Sequence, residues 1–162
     1  MEPGEDHEEG PPTKEGDEMK KLGSLYTVRG QVPVNTVNHR IQLFDGRFDT
    51  AFRIVEFTIA DANPLINNEF QGVVATDEMS LATSFDWSDN IEIAWALWHA
   101  PTAGAGPIVS WVDPDNLVVQ DLYFTNRGGT DNTDLNYMIR LQKYDISDWR
   151  GALSMVRNRS QA

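Results

Sequence analysis

From Leu22 onward, apolar and polar residues alternate over short stretches, and turn residues separate one stretch from the next. Tyr26, Val28, Val32 and Val34 alternate with Leu25, Thr27, Arg29 and Gln31, interrupted by Gly30 and Pro33. A period of two is the spacing of side chains on one face of a strand. Proline has no amide to donate, so Pro33 places this stretch at a sheet edge or a strand end. Residues 40–43 predict a second short strand, stopped by Asp45-Gly46, a tight-turn dipeptide. Residues 51–59 predict a third, with Phe52 and Ile54 on one face and Val55, Phe57 and Ile59 on the other. Apolar residues on both faces predict cover on both sides.

Asn63-Pro64 breaks the pattern, and residues 73–76 predict a brief strand. Residues 84–90 are turn chemistry. Residues 91–99 follow, with Ile91, Ile93, Trp95 and Leu97 on one face and Glu92, Ala94, Ala96 and Trp98 on the other. This stretch also holds i, i+4 apolar pairs. Its shortness, its strand-like neighbours and the lack of a glycine cap favour a strand over a helix. Residues 101–107 predict a loop and 108–112 a short strand, ended by the turn Asp113-Pro114-Asp115-Asn116. Residues 117–125 predict a long strand, and 126–132 a loop. The cleanest alternation covers 134–144, with Leu135, Tyr137, Ile139 and Leu141 inward. Ser147 suits the cap of a short final helix over 148–155. Strands divided by Gly, Pro, Asn and Asp loops predict an all-β fold, an antiparallel β-sandwich of jelly-roll-like form. They argue against a parallel α/β sheet.

The first nineteen residues break this picture. They hold Glu2, Glu5, Asp6, Glu8, Glu9, Glu15, Asp17 and Glu18 against Lys14, and no Phe, Tyr, Trp, Val, Ile or Leu. Such a segment has too little apolar surface to fold alone. The chain therefore divides into an acidic extended arm, residues 1–21, and a sandwich domain, residues 22–162. The net charge is −12, and outside the first nineteen residues 17 acids face 12 bases. Neither part carries the basic footprint that phosphate neutralisation needs, which argues against direct nucleic-acid binding. There is no cysteine, hence no disulfide, thiolate zinc site or thiol nucleophile. No long apolar run and no basic-then-apolar start is present, so the expectation is a soluble chain made in the cytoplasm, with no membrane partner.

Candidate chemistry is sparse. Carboxylates gather at Asp45/Asp49, Asp86/Asp89 and Asp113/Asp115, but calcium loops need more oxygen ligands and a different order, so turn motifs are the simpler reading. Asp86, Asp89 and Glu92 are the carboxylates a glycosidase would draw on, and nothing in the sequence fixes their separation. His7, His39 and His99 have no metal-binding spacing, and His99 reads as a hydrogen-bonded rim residue. No nucleophile elbow or phosphate-binding glycine pattern occurs. Hence no catalytic residue, metal or cofactor is predicted. Five tryptophans are the richer signal. Trp95 and Trp111 are read as core, and Trp87 and Trp149 as exposed contacts.

The runs Phe44-Asp45-Gly46-Arg47-Phe48-Asp49, Trp111-Val112-Asp113-Pro114-Asp115-Asn116-Leu117 and Leu135-Asn136-Tyr137-Met138-Ile139 resemble small virion-associated proteins of marine tailed bacteriophages, over residues 22–150. The resemblance implies a non-enzymatic virion structural protein, a capsid decoration or cement protein. It equally allows a tail or portal-vertex component. Its partner would be the major capsid protein or another virion protein, with homo-oligomers expected. The contact residues expected are Glu5, Asp6, Glu8 and Glu9 of the arm, with Trp149, Arg150 and Arg157 near the far end. The alternative is a carbohydrate- or receptor-binding sandwich of a viral particle, stacking sugars on Trp87, Trp98 or Trp149.

Overall fold

The computed structural model describes residues 19–66, 68–80, 84–99, 108–128 and 133–147. Within them lie eight strands: β1 (Lys20–Pro33), β2 (His39–Ile41), β3 (Thr50–Asp61), β4 (Glu69–Ala75), β5 (Glu92–His99), β6 (Ile108–Val112), β7 (Leu122–Gly128) and β8 (Asp134–Asp145). They form two antiparallel sheets, ordered β1-β8-β3 and β2-β7-β4-β5-β6. The described residues are all-β, as their alternation predicts, and β1 takes the edge that Pro33 requires. Lys20 and Lys21, counted with the arm, already pair with Asp145 and Tyr144. The strand pairing is nested: first with eighth, second with seventh, fourth with fifth. A full jelly roll would also pair third with sixth, whereas β6 bonds β5.

The core lies between the sheets. Leu135, Tyr137, Ile139 and Leu141 of β8 point into it, meeting Phe57, Ile59, Phe70, Val74, Leu122 and Phe124. Phe124 contacts Phe57 edge-on at 5.8 Å and Tyr137 at 5.0 Å. Gly72 makes room for it: a Cβ there would stand 2.8 Å from the Phe124 ring.

Several expectations are corrected. β3 is not covered on both faces. Its register slips between Ile54 and Glu56, so Val55 is an extra, exposed residue while Ile54, Phe57 and Ile59 all turn inward. A bulge of this kind inverts the alternation beyond it, which an unbroken period of two reads as two apolar faces. Secondly, residues 117–125 are not one strand. Val118 forms a single bridge with Phe52 and β7 begins only at Leu122, running on through Gly128 into the predicted loop. The reason is Asn116, whose Oδ1 accepts from Ile54 N (2.7 Å) and whose Nδ2 donates to Ile54 O (3.0 Å). That side-chain amide stands in for a strand at the β3 edge. The tryptophan assignments supply the remaining corrections, described with the site. The predicted helix over 148–155 lies outside the described residues.

Candidate functional site

Trp95 and Trp111 are register partners on the outward face of β5 and β6. Trp111 is 37% exposed, so its assignment to the core is wrong; Trp95 is buried, but beneath Trp87 rather than between the sheets. Trp98 takes the core position instead and is no stacking platform. Its side chain alternates to the inner face with Ala94 and Ala96, and sequence alone could not tell the two faces apart.

The loop before β5 lays Trp87 over this pair. Its ring centroid is 5.5 Å from Trp95 and 5.9 Å from Trp111, and Phe85 meets Trp111 edge-on at 6.3 Å. Trp87 keeps 64% of its surface exposed. Glu92 holds the arrangement. Its buried Oε2 accepts from Trp95 Nε1 at 2.7 Å and from Asp86 N at 3.0 Å. A bulge makes this reach possible: Val74 pairs Ala94 while Ala75 pairs Glu92. Ile93 thereby drops into the core, and Glu92 shares the outward face with Trp95.

The rings line a cavity of about 550 Å³ with Asp89, Asp113 and Asp115, a size usual for small-ligand sites. Asp89 Oδ1 accepts from Ile91 N at 3.1 Å, and Asp113 Oδ1 from Asp115 N at 2.9 Å. Each carboxylate therefore shapes its turn and still has acceptor capacity for a hydroxyl donor. Asn116, pinned to Ile54, fixes the second wall of the cavity to the core.

The remaining aspartate loops act as turns. Asp86 Oδ1 accepts from Ser88 N (3.0 Å) and Ser88 Oγ (2.5 Å). The Ser88 hydroxyl, then its amide, hold the Asp86 carboxyl below the ordinary value, the opposite of what a general acid requires. Arg47 forks onto Asp49 through Nε (2.9 Å) and Nη2 (2.7 Å), and Lys143 Nζ donates to Asp45 at 2.7 Å. The Lys143 bond, then the Arg47 amide, lower the Asp45 pKa, and the Arg47 bond lowers that of Asp49. Among the described residues no group of three or more His, Asp or Glu side chains could hold a metal. No helix among them is long and apolar enough to cross a membrane. His99 Nδ1 lies 2.6 Å from Glu69 Oε1 at the opposite end of β5, a rim residue as expected.

The contact residues expected from the sequence, Glu5, Asp6, Glu8, Glu9, Trp149, Arg150 and Arg157, all lie outside the described residues. Of the exposed tryptophans expected, Trp87 is confirmed. What sequence reading missed is its company: Trp95 and Trp111 at the same face, and Glu92 beneath them. Only the β5–β6 register, which sets Trp95 opposite Trp111, makes that company visible. No family model and no curated protein sequence matches this chain.

Proposed function

We propose that the chain is a non-catalytic recognition module of a viral particle, and that it binds saccharide rings on the Trp87–Trp111 platform. The observation that supports this is a pair of touching tryptophans, 64% and 37% exposed, over a cavity edged by carboxylates. Large aromatic surfaces left in water by a folded domain are unusual outside contact sites. The two indoles meet at 64°, and each offers a flat apolar face to the C–H side of a sugar ring, while Asp89 and Asp113 accept its hydroxyls. A quaternary-ammonium cage is the worse fit: rings 5.5–5.9 Å apart touch one another and leave no space between them for a cation.

The decoration or cement reading stands second, and the nested strand pairing is compatible with it, since eight-stranded jelly rolls serve both viral shells and lectins. That support is fold analogy alone. One experiment separates the two. The isolated chain is applied to a glycan array and titrated by tryptophan fluorescence, with Trp87→Ala as control. Saccharide binding by the isolated chain, lost in the variant, is the expected result. Silence on every glycan, with binding appearing only when capsid is added, would overturn the saccharide reading in favour of cement.

A further inference from the structure

Beside the tryptophan cavity lies a second, also about 550 Å³, and Thr76 and Asn90 line both. Its walls include Phe44, Phe48 and Tyr123. Phe48 is 76% exposed and touches Phe44, with ring centroids 5.2 Å apart. These phenylalanines are not on a loose loop. Asp121, buried, accepts from Arg40 Nε (2.6 Å), Leu43 N (3.0 Å) and Phe44 N (3.1 Å). On the far side of Phe44, Asp45 is tied to Lys143 of β8, and Arg47 to Asp49. An exposed aromatic pair is thus held in place at one end of a depression whose other end is the tryptophan platform.

We infer that the two cavities form one groove that takes an unbranched, neutral saccharide chain, seated on Trp87 and Trp111 at one end and on Phe44 and Phe48 at the other. The inference rests on the saccharide reading above and adds the length and charge of the ligand. Length follows from continuity: two platforms joined through shared walls suit a chain of several rings better than one ring. Charge follows from the lining. Asp77, Asp89, Glu92, Asp113, Asp115 and Asp121 face only one cation among the described lining residues, Arg40, and Arg40 is paired to Asp121. A uronate or sulfated chain would meet like charge along the whole groove. A neutral chain meets acceptors for its hydroxyls and flat rings for its C–H faces. Burial pulls the Asp121 pKa up, but the Phe44 amide, Arg40 and the Leu43 amide together outweigh burial and leave it below the ordinary value.

The test is calorimetric titration of the full chain with neutral β-linked glucose and α-linked mannose oligomers of increasing length. Wild type should tighten as the chain lengthens. Phe48→Ala should leave short oligomers unchanged and weaken the longest by about tenfold, whereas Trp87→Ala should abolish binding at every length. Both replaced side chains are exposed, and far-UV circular dichroism checks that each variant folds. Short and long oligomers binding equally to wild type, or Phe48→Ala retaining the length dependence, would overturn the extended groove while leaving the platform intact. No neutral oligomer binding at all would overturn the platform as well. Preferential binding of a sulfated glucan or a lysine-rich peptide would overturn the neutral-chain assignment.

Discussion

On the outward face of the three-stranded sheet, Arg140 meets Glu56 at 3.0 Å and Gln31 meets Asn136 at 3.0 Å, each pair standing on neighbouring strands. The outward face of the five-stranded sheet carries Trp95 and Trp111 instead, roofed by Trp87. Both faces cover the same core and both meet water. The first pairs these polar groups across neighbouring strands, around a depression edged by Arg29, Thr58 and Met138. The second leaves aromatic surface exposed and surrounds it with carboxylates, an arrangement that gains free energy only when something covers it. This difference is what supports placing the proposed site on the five-stranded sheet.

The core beneath both faces sets the upper limit of what a single substitution can do. Phe124 is fully buried and touches Phe57 on one sheet and Tyr137 on the same sheet as Phe57, so it ties the two layers together. Phe124→Ala should cost about 3–5 kcal/mol, a large part of the ~5–15 kcal/mol typical of a domain. Urea unfolding measures it. A loss under 1 kcal/mol would mean that the sheets do not pack as described, and the comparison of their outer faces would lose its frame.

Glu92→Ala acts on one face only. It strips the acceptor from Trp95 Nε1 and Asp86 N, and leaving a buried donor without a partner costs about 1–3 kcal/mol. The expected outcome is that loss, together with a diminished near-UV circular dichroism signal from the tryptophan cluster. Glu92→Gln, which keeps an acceptor oxygen, should restore most of the signal. If Glu92→Ala leaves the aromatic signal unchanged, the platform is held by ring packing alone.

How much of this was legible beforehand depends on where the period of two survives. β8 reads correctly from Leu135 to Leu141 because its alternation toward the core runs unbroken there, and β6 because turn residues bound it on both sides. β3 and β5 mislead at Val55 and Ile93, since a bulge of one residue exchanges the faces and leaves no compositional mark. The segment at 117–121 has strand propensity but no strand, because the Asn116 side chain already occupies the β3 edge. Trp87 was legible as exposed from its polar neighbours. That Trp111 joins it required the register Trp95↔Trp111, a long-range fact no local pattern carries. Asp89 was visible in one turn-forming pair and Asp113 with Asp115 in another, whereas their convergence, and the part of Asp77 and Asp121, was not.

The smallest expected effect tests the quiet face. Glu56 and Arg140 are 44% and 42% exposed, so solvent screens their attraction heavily. Exposed pairs of this kind contribute about 0.2–1 kcal/mol. Glu56→Gln keeps the side chain's shape and can still accept from Arg140, so the loss should fall at the low end and vanish in 1 M salt, where the screening length is about 3 Å. Saccharide titration of the same variant should match wild type, because Glu56 lines neither cavity of the groove. Weakened saccharide binding from this substitution would place a ligand contact on the three-stranded sheet. The contrast between the two faces would then be one of composition and no longer one of function.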